Sequence, residues 1–322
     1  MKRSLASFAS ALTLGLLTTA ALAQPAALPS TIRIVVPAAP GSSTDVFARA
    51  VANQLGPRTG STVIVENKAG GSTMIGSSFV AKAPKDGSVL LINSTSLVST
   101  AATMRQPPLD VLADLTPVAM LEKNPLVVAV SLKSNIKSPA ELIAAAKAAP
   151  DGVTHGTTGV GSIVHVAVEQ LNDMAKVQLK HVPYRGTALA VMDMAGGIID
   201  MVMATHATVA PGIKTGRARL IGVTSAEPHP AFPGLPTMAS VVPGYTVELW
   251  LGIFAPSGTP APVVQRLNSE INEIARSKEL REMMESDGGV PMPLTPEQLV
   301  PLVRDSYAAF KKLAAERKIV SE

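Results

Sequence analysis

The feature that most constrains this chain is a unit that recurs: an apolar strand, a polar loop rich in Gly, Ser and Thr, then a helix. Thr31–Val36 reads as a strand stopped by Pro37. Ala38-Ala39-Pro40-Gly41-Ser42-Ser43-Thr44-Asp45 follows, and then a helix with Val46, Phe47, Ala50, Val51 and Leu55 on one face, ended by Gly56-Pro57. Thr62–Val65 leads into the glycine loop Glu66–Thr73 and a helical stretch over Met74–Ala83. Val89–Ile92 leads into Asn93-Ser94-Thr95-Ser96. Repetition of this unit predicts α/β architecture, with mostly parallel sheets flanked by helices.

The second half continues the pattern. Leu126–Val130 is an apolar strand, and Ser138-Pro139-Ala140-Glu141 is a capping box with proline at the first helical position. Gly156–Ser162 opens a helix that turns Val164, Ala167, Val168 and Leu171 inward. Gln178–Val182 is a strand ending in Pro183-Tyr184-Arg185-Gly186, Thr187–Ala195 a short helix, and Ile198–Met203 a strand ending at Thr205-His206. Leu220–Val223 is a further strand, and a long Pro/Gly stretch over 227–246 separates it from the strand Val247–Phe254. Thr259-Pro260 starts a helix, and Thr295-Pro296-Glu297-Gln298 is a second capping box before the last one. A chain of 322 residues accommodates about two domains of this kind.

The first residues read as an address. Lys2-Arg3 is a basic start, Leu5–Leu17 is mostly apolar, and Ala21-Leu22-Ala23 is a small-x-small cleavage pattern before Gln24. The expectation is a signal peptide cleaved after Ala23 and a soluble periplasmic protein, since no later run reaches 18 apolar residues. The chain has no cysteine, which excludes disulfides, a thiolate metal site, a cysteine nucleophile and a lipid-bearing cysteine. The formal charge of +4 includes Lys2 and Arg3, and no run of five like charges occurs, so neither nucleic acid nor a membrane surface is an expected partner.

Enzyme motifs largely fail. Gly159-Val160-Gly161 lacks the third glycine of a dinucleotide fingerprint, because Val164 stands there. Neither a P-loop nor a G-x-S-x-G elbow occurs, and His155, His165, His181, His206 and His229 show no H-E-x-x-H spacing. No metal, no cofactor and no catalytic residue is expected. The nearest thing to a nucleophile and base is Ser162 with His165, three residues apart and without an evident carboxylate to orient the ring. A secreted hydrolase built on that pair is therefore the rival reading.

The loops suit an anion better than a reaction. First-turn N–H groups have no intrahelical partner and the helix dipole favours negative charge there, so loops 41–45, 70–73 and 158–162 fit a carboxylate or phosphate. Plain helix capping explains each loop as well. Asp45 fits a cap of its own loop, His165 either a ligand donor or a helix-surface group, and Arg185 either a bidentate carboxylate partner or a solvated side chain.

The order of several short motifs resembles the receptors of the tripartite tricarboxylate transporter type, the Bug family of periplasmic solute-binding proteins. The resemblance spans about residues 31 to 317. It is carried by Val36-Pro37 with Pro40-Gly41, Asp45 and Arg49, by Val65-Glu66-Asn67-Lys68, and by Asp86-Gly87. Gly159-Val160-Gly161-Ser162 with His165, Val182-Pro183-Tyr184-Arg185-Gly186 and Arg217-Ala218-Arg219-Leu220 continue it. Leu235-Pro236-Thr237, Trp250-Leu251-Gly252 and Pro256-Ser257-Gly258-Thr259-Pro260 complete it.

The resemblance implies a two-lobed, type II periplasmic-binding fold. Lobe one would be 24–125 with 249–322, lobe two 126–248, and the chain would cross near Leu126–Val130 and Val247–Phe254. It implies a small organic anion in the cleft between lobes and a membrane permease as partner; a monomer is the expectation for the chain itself. The implied ligand contacts are Ala38, Gly41, Ser42, Ser43, Thr44, Asp45, Gly70, Gly71, Ser72 and Thr73 on one side, with Ser94 and Thr95. On the other side they are Thr157, Thr158, Gly161, Ser162, His165, Tyr184, Arg185, Gly186, Thr205 and His206. An orphan ligand sensor with the same cleft is a third reading. The chain departs from the family pattern at Ala38, where an aromatic is usual, and at Gly41-Ser42 and Ala69–Thr73, where glycine pairs are usual.

Overall fold

The computed structural model describes residues 26–184, 186–285 and 287–321. The leading segment, with its cleavage pattern, and Arg185 lie outside the described residues. The first half runs β1 (Thr31–Val36), α1 (Ser43–Thr59), β2 (Thr62–Asn67), α2 (Met74–Ala81), β3 (Val89–Ser94), α3 (Ser96–Thr103) and β4 (Leu115–Pro125). The middle runs β5 (Val127–Ser131), α4 (Pro139–Ala148), β6 (Thr154–Thr157), α5 (Ile163–Ala175), β7 (Lys180–Pro183), α6 (Thr187–Gly196), β8 (Met201–Ala204), α7 (His206–Lys214) and β9 (Ala218–Val223). The last part is β10 (Glu248–Pro256), α8 (Ala261–Ala275), α9 (Lys278–Glu285), β11 (Val290–Pro291) and α10 (Pro296–Arg317).

Two sheets result, in the orders β11-β4-β10-β3-β1-β2 and β7-β6-β8-β5-β9. Helices cover both faces of each. On the first sheet one core joins α1 and α8 to Ile32, Ile34, Leu90 and Ile253, and a second joins α2, α3 and α10 to Val35, Leu91 and Phe254. On the second, α4 and α5 cover Val128, Val130 and Met203, and α6 and α7 cover Val127, Ala129 and Val202. Burial on both faces explains why β5 reads Val-Val-Ala-Val with no polar alternation.

The fold is α/β and two-lobed, but each sheet is mixed rather than mostly parallel. The strand–loop–helix units pair in parallel: β1 with β2 and β3, and β6 with β7 and β8. The strands next to the inter-sheet connections pair antiparallel: β10 with β3 and β4, and β5 with β8 and β9. The physical cause is the path. The chain leaves the first sheet at Pro125, starts the second at Val127, and returns between Val223 and Glu248, so a returning strand starts at the connecting edge and runs away from it.

Register fixes what faces what. Glu248 at the start of β10 opposes Pro125 at the end of β4, and Leu251 opposes Ser94 at the end of β3. Val127 at the start of β5 opposes Ala204 at the end of β8. The C-terminal ends of the parallel strands in both sheets therefore open toward the connections, and toward each other, where ligands bind in open α/β sheets.

The terminal helix α10 joins the two halves. It packs on the first sheet, yet its last turns meet α5 through Val166, Ala314 and Ile319. Arg317 Nη2 pairs with Glu169 Oε2 at 2.9 Å. Beyond it, Ser321 N–H donates to the Thr103 carbonyl at 3.0 Å. No helix among the described residues is long and apolar enough to cross a membrane.

Candidate functional site

The loop after β1 is built from behind by one carboxylate. Asp45 is 3% exposed and accepts from Gly41 N (2.9 Å), Arg49 Nε and Nη2 (3.0 Å each) and Asn67 Nδ2 (2.9 Å). The Arg49 guanidinium, with Gly41 and Asn67, outweighs burial and holds its carboxyl down at about 2. Asp45 thus ties loop, helix and the end of β2 into one body, and its oxygens are engaged by this chain's own donors. Ser42 caps α1, its Oγ accepting from Asp45 N at 3.3 Å. The Ser42 side-chain cap serves Asp45 N and not the first-turn amides of Ser43 and Thr44; Ala38 is half-buried and Gly41 exposed.

The loop after β2 is built differently. Gly70, Gly71, Ser72 and Thr73 all have positive φ, at 125, 54, 49 and 81°. Serine and above all β-branched threonine are strained there. Thr73 is the N-cap of α2 but makes no side-chain cap, and its buried Oγ1 has no hydrogen-bond partner. No side chain serves the amides opening α2, although Met74 N donates to the Gly71 carbonyl and Ile75 N to the Gly70 carbonyl (3.4 Å); strain of this kind gathers at ligand clamps.

After β3, Ser94 and Thr95 serve structure. Trp250 N donates to Thr95 Oγ1 at 2.8 Å, and Thr95 is 2% exposed. Ser94 Oγ accepts from Ser96 N at 3.3 Å.

In the second sheet the loop after β6 is held by a stack of histidines. His155 lies beside His181, and His181 beside His165, with ring centroids 5.2 and 4.1 Å apart. Gly161 N donates to His165 Nδ1 at 3.2 Å, so the ring proton sits on Nε2, which faces Glu169 Oε1 at 3.9 Å. Thr157 Oγ1 is 2.6 Å from His181 Nε2 and accepts from Gly159 N at 3.1 Å. Burial drives His155 down to about 3 and His165 and His181 down to about 4, with mutual repulsion adding at His155 and His181, so all three are neutral at pH 7. Gly161 cannot be otherwise: φ is +80° and a Cβ would overlap Thr103 Oγ1.

His165 is therefore a brace behind the loop, 7% exposed, rather than a donor at its mouth. Thr157, 1% exposed, is another. Ser162 Oγ donates to the Gly159 carbonyl (2.8 Å) and accepts from His165 N (3.3 Å), an N-cap. Its hydroxyl is committed to the backbone and the His165 ring to Gly161, so the pair forms no nucleophile and base. Thr158 is exposed.

Tyr184 Oη donates to Asp193 Oδ2 at 2.8 Å; burial and that carboxylate push the phenol up to about 12. Gly186 opens α6 with no side-chain cap and nothing near its Cβ position. Thr205 is the N-cap of α7, its Oγ1 2.9 Å from Thr208 Oγ1, and His206 rests near the Phe232 ring at 5.3 Å.

The loops after β1 and β2 thus follow strand ends of the first sheet, and those after β6, β7 and β8 strand ends of the second, on the side where the chain passes between the sheets. A cavity of 460 Å³ between α5 and the end of α10 is lined by His165, Glu169, Gln178 and Arg317 among others, and takes no residue from the sheet-one loops after β1 and β2. Among the described residues no cluster fit for a metal ion occurs. Sequence reasoning missed Asn67 as the third arm of the Asp45 brace, although Glu66-Asn67-Lys68 marked the place. It also missed Asp287, whose Oδ1 accepts from Ala207 N at 2.6 Å at the start of α7. Asp-Gly-Gly there signals only a turn.

Comparison with known proteins agrees with this architecture. Residues 47–319 match the model of the tripartite tricarboxylate transporter family receptor. Protein BugT of Bordetella pertussis is 33% identical over 288 residues, covering 88% of each chain. Among solved structures, R. palustris Rpa4515 with adipate superposes with a TM-score of 0.81 at 29% identity, covering 90% of this chain and 98% of that one. MatC from Rhodopseudomonas palustris with bound malate gives 0.76 at 26%, covering 88% and 98%. The chain belongs to the tripartite tricarboxylate transporter receptor family of solute-binding proteins.

Proposed function

We propose that the protein captures a small organic anion, through a carboxylate, between two lobes and delivers it to a tripartite tricarboxylate-type membrane permease. One observation supports this: helix starts that lack a full side-chain cap (α1, α2 and α6) follow strand ends in both sheets, and the Asp45 brace behind the first has its own charge satisfied internally. Each such dipole contact contributes ~0.3–1 kcal/mol when exposed and up to ~2 kcal/mol when partly buried; several together reach the roughly −8 kcal/mol of micromolar binding.

The ligand contacts are Ser43 and Thr44, Gly70–Thr73, Thr158 and Gly186, with Ala38, Gly41 and Ser42 lining the approach. Asp45, Thr95, Thr157, His165 and Tyr184 position those loops. Lobe one is 24–125 with 249–322 and lobe two 126–248, the chain is exported as a monomer with its leader removed after Ala23, and closure is a hinge motion at the two connections. The rival hydrolase reading is not favoured, because the Ser162 hydroxyl and the His165 ring are both engaged with the loop backbone.

A thermal-shift screen of ligand-stripped protein against mono-, di- and tricarboxylates tests the reading. At least one raises Tm by several degrees; no shift with any of them overturns it. Mass spectrometry of small molecules released from freshly purified protein identifies the natural ligand.

A further inference from the structure

The start of α7 stands out on the cleft edge because it is already filled. Its N-cap Thr205 follows Ala204, which register places at the connecting edge. The occupant comes from the other sheet. Asp287, in the turn between α9 and β11, puts Oδ1 2.6 Å from Ala207 N, and the Thr205 hydroxyl and His206 main-chain N–H donate toward the same carboxylate. That is the arrangement by which helix starts hold anions in general, with the anion supplied by this chain.

The turn that carries Asp287 has no room to retreat. Gly288 has φ +75° and a Cβ there would lie 2.6 Å from Phe232 Cε2. Behind it stands Glu122 on β4, 5% exposed, its Oε2 buried without a hydrogen-bond partner and so close that a Cβ on Gly289 would overlap it. Burial and the neighbouring Asp287 charge raise Glu122 to about 8, so it keeps its proton; burial raises Asp287 as well, opposed by the Ala207, Thr205 and His206 donors that favour its charged form. An incoming carboxylate that displaced Asp287 would take from it the Ala207, His206 and Thr205 donors at the α7 start.

We propose that Asp287 is a resident anion that closes the α7 end of the cleft to ligand, a specificity-determining residue that denies a second anionic group its site and leaves the ligand's charge to the other loops. The inference rests on the functional reading above and sharpens its ligand class: anions with one charged group bind as well as their doubly charged counterparts. The two solved relatives above were found with adipate and malate, both dicarboxylic.

The test compares adipate and succinate with their monomethyl esters by isothermal titration calorimetry. The expected result for the unaltered chain is affinity within about threefold between each diacid and its monoester. In Asp287→Ala, which empties the α7 start, the diacid gains at least tenfold over the monoester, whereas Asp287→Asn, which keeps the cradle filled, leaves the ratio unchanged. A tenfold diacid preference in the unaltered chain overturns the inference without needing any variant to fold, as does an unchanged ratio in a folded Asp287→Ala protein. Either result leaves the functional reading standing. Silence of all proteins toward every anion overturns that reading, and this inference with it.

Discussion

The two edges of the cleft are built from the same unit yet treat their amides in opposite ways. On the first sheet a single braced carboxylate, Asp45, takes the Gly41, Arg49 and Asn67 donors, and no side-chain cap serves the amides of Ser43 and Thr44. The neighbouring loop is wound through four left-handed residues into α2 without a cap. On the second sheet the chain spends its amides on itself: Gly161 on His165, Gly159 on Thr157, and Ala207 on Asp287. The contrast teaches that a glycine-rich loop before a helix is not in itself a ligand site. What decides is whether a side chain of the same protein reaches the amide first.

The largest expected effect breaks the first edge. Asp45→Ala strands the Gly41 amide, Asn67 and the Arg49 guanidinium, and unmet donors of this kind cost about 1–3 kcal/mol each where buried. Urea unfolding should show a loss of about 2–3 kcal/mol, and calorimetry a fall in anion affinity of at least tenfold. Unchanged affinity would mean the sheet-one edge does not hold the ligand.

Acid separates the edges next. A histidine whose folded pKa lies below its free value lets the unfolded chain take up protons first, so stability is present above pH 6.5 and drains as pH falls toward about 4 and 3 at the second sheet. Asp45 follows the same sign but keeps its contribution until pH drops below 3.8 toward about 2. Between pH 6 and 4.5 hydrogen exchange should therefore open the second sheet first. His155→Leu, which replaces a ring whose two nitrogens have no partner, should flatten the acid limb of Tm by the equivalent of a few kcal/mol. Uniform opening of both sheets would remove the distinction.

Alkali probes the junction. Glu122 is raised from its ordinary value, so its contribution is complete below pH 4.5 and is lost as pH rises through about 8. Glu122→Gln should melt higher than the unaltered chain at pH 9 and at nearly the same temperature at pH 5. The smallest effect sharpens the strained loop: Thr73→Gly relieves φ +81° and should stabilise by about 0.5–1 kcal/mol, net of glycine's added freedom in the unfolded chain. Its binding should weaken severalfold if the strain serves to aim the α2 amides.

The sequence made the repeating unit plain because Pro37 and Gly70-Gly71 punctuate it, whereas α1 runs on through Gly56-Pro57 and stops at Gly60 in the left-handed region. It hid β4, where Pro117 and Glu122-Lys123-Asn124 break any strand pattern. Burial of Glu122 as a neutral acid is a tertiary arrangement that no local pattern announces. The short α3 and α9 were equally silent, the first rich in Ser and Thr and only eight residues long. Within the site, Ser42 and Ser162 were readable as caps, each three residues before the amide it serves. His165 was readable only as polar at a helix start. Its stacking on His181 comes from pairing of β6 with β7, which sets His155 opposite His181.

Because α10 lies across both halves, with Arg317 clasping Glu169 and Ser321 laced to Thr103, any swing of one lobe on the other must pivot about its final turn or tear it loose. If the lobes close about the two connections as proposed, a fluorophore beside that turn should move less than one on the rim, which makes the tail of the chain a reference point for measuring that closure.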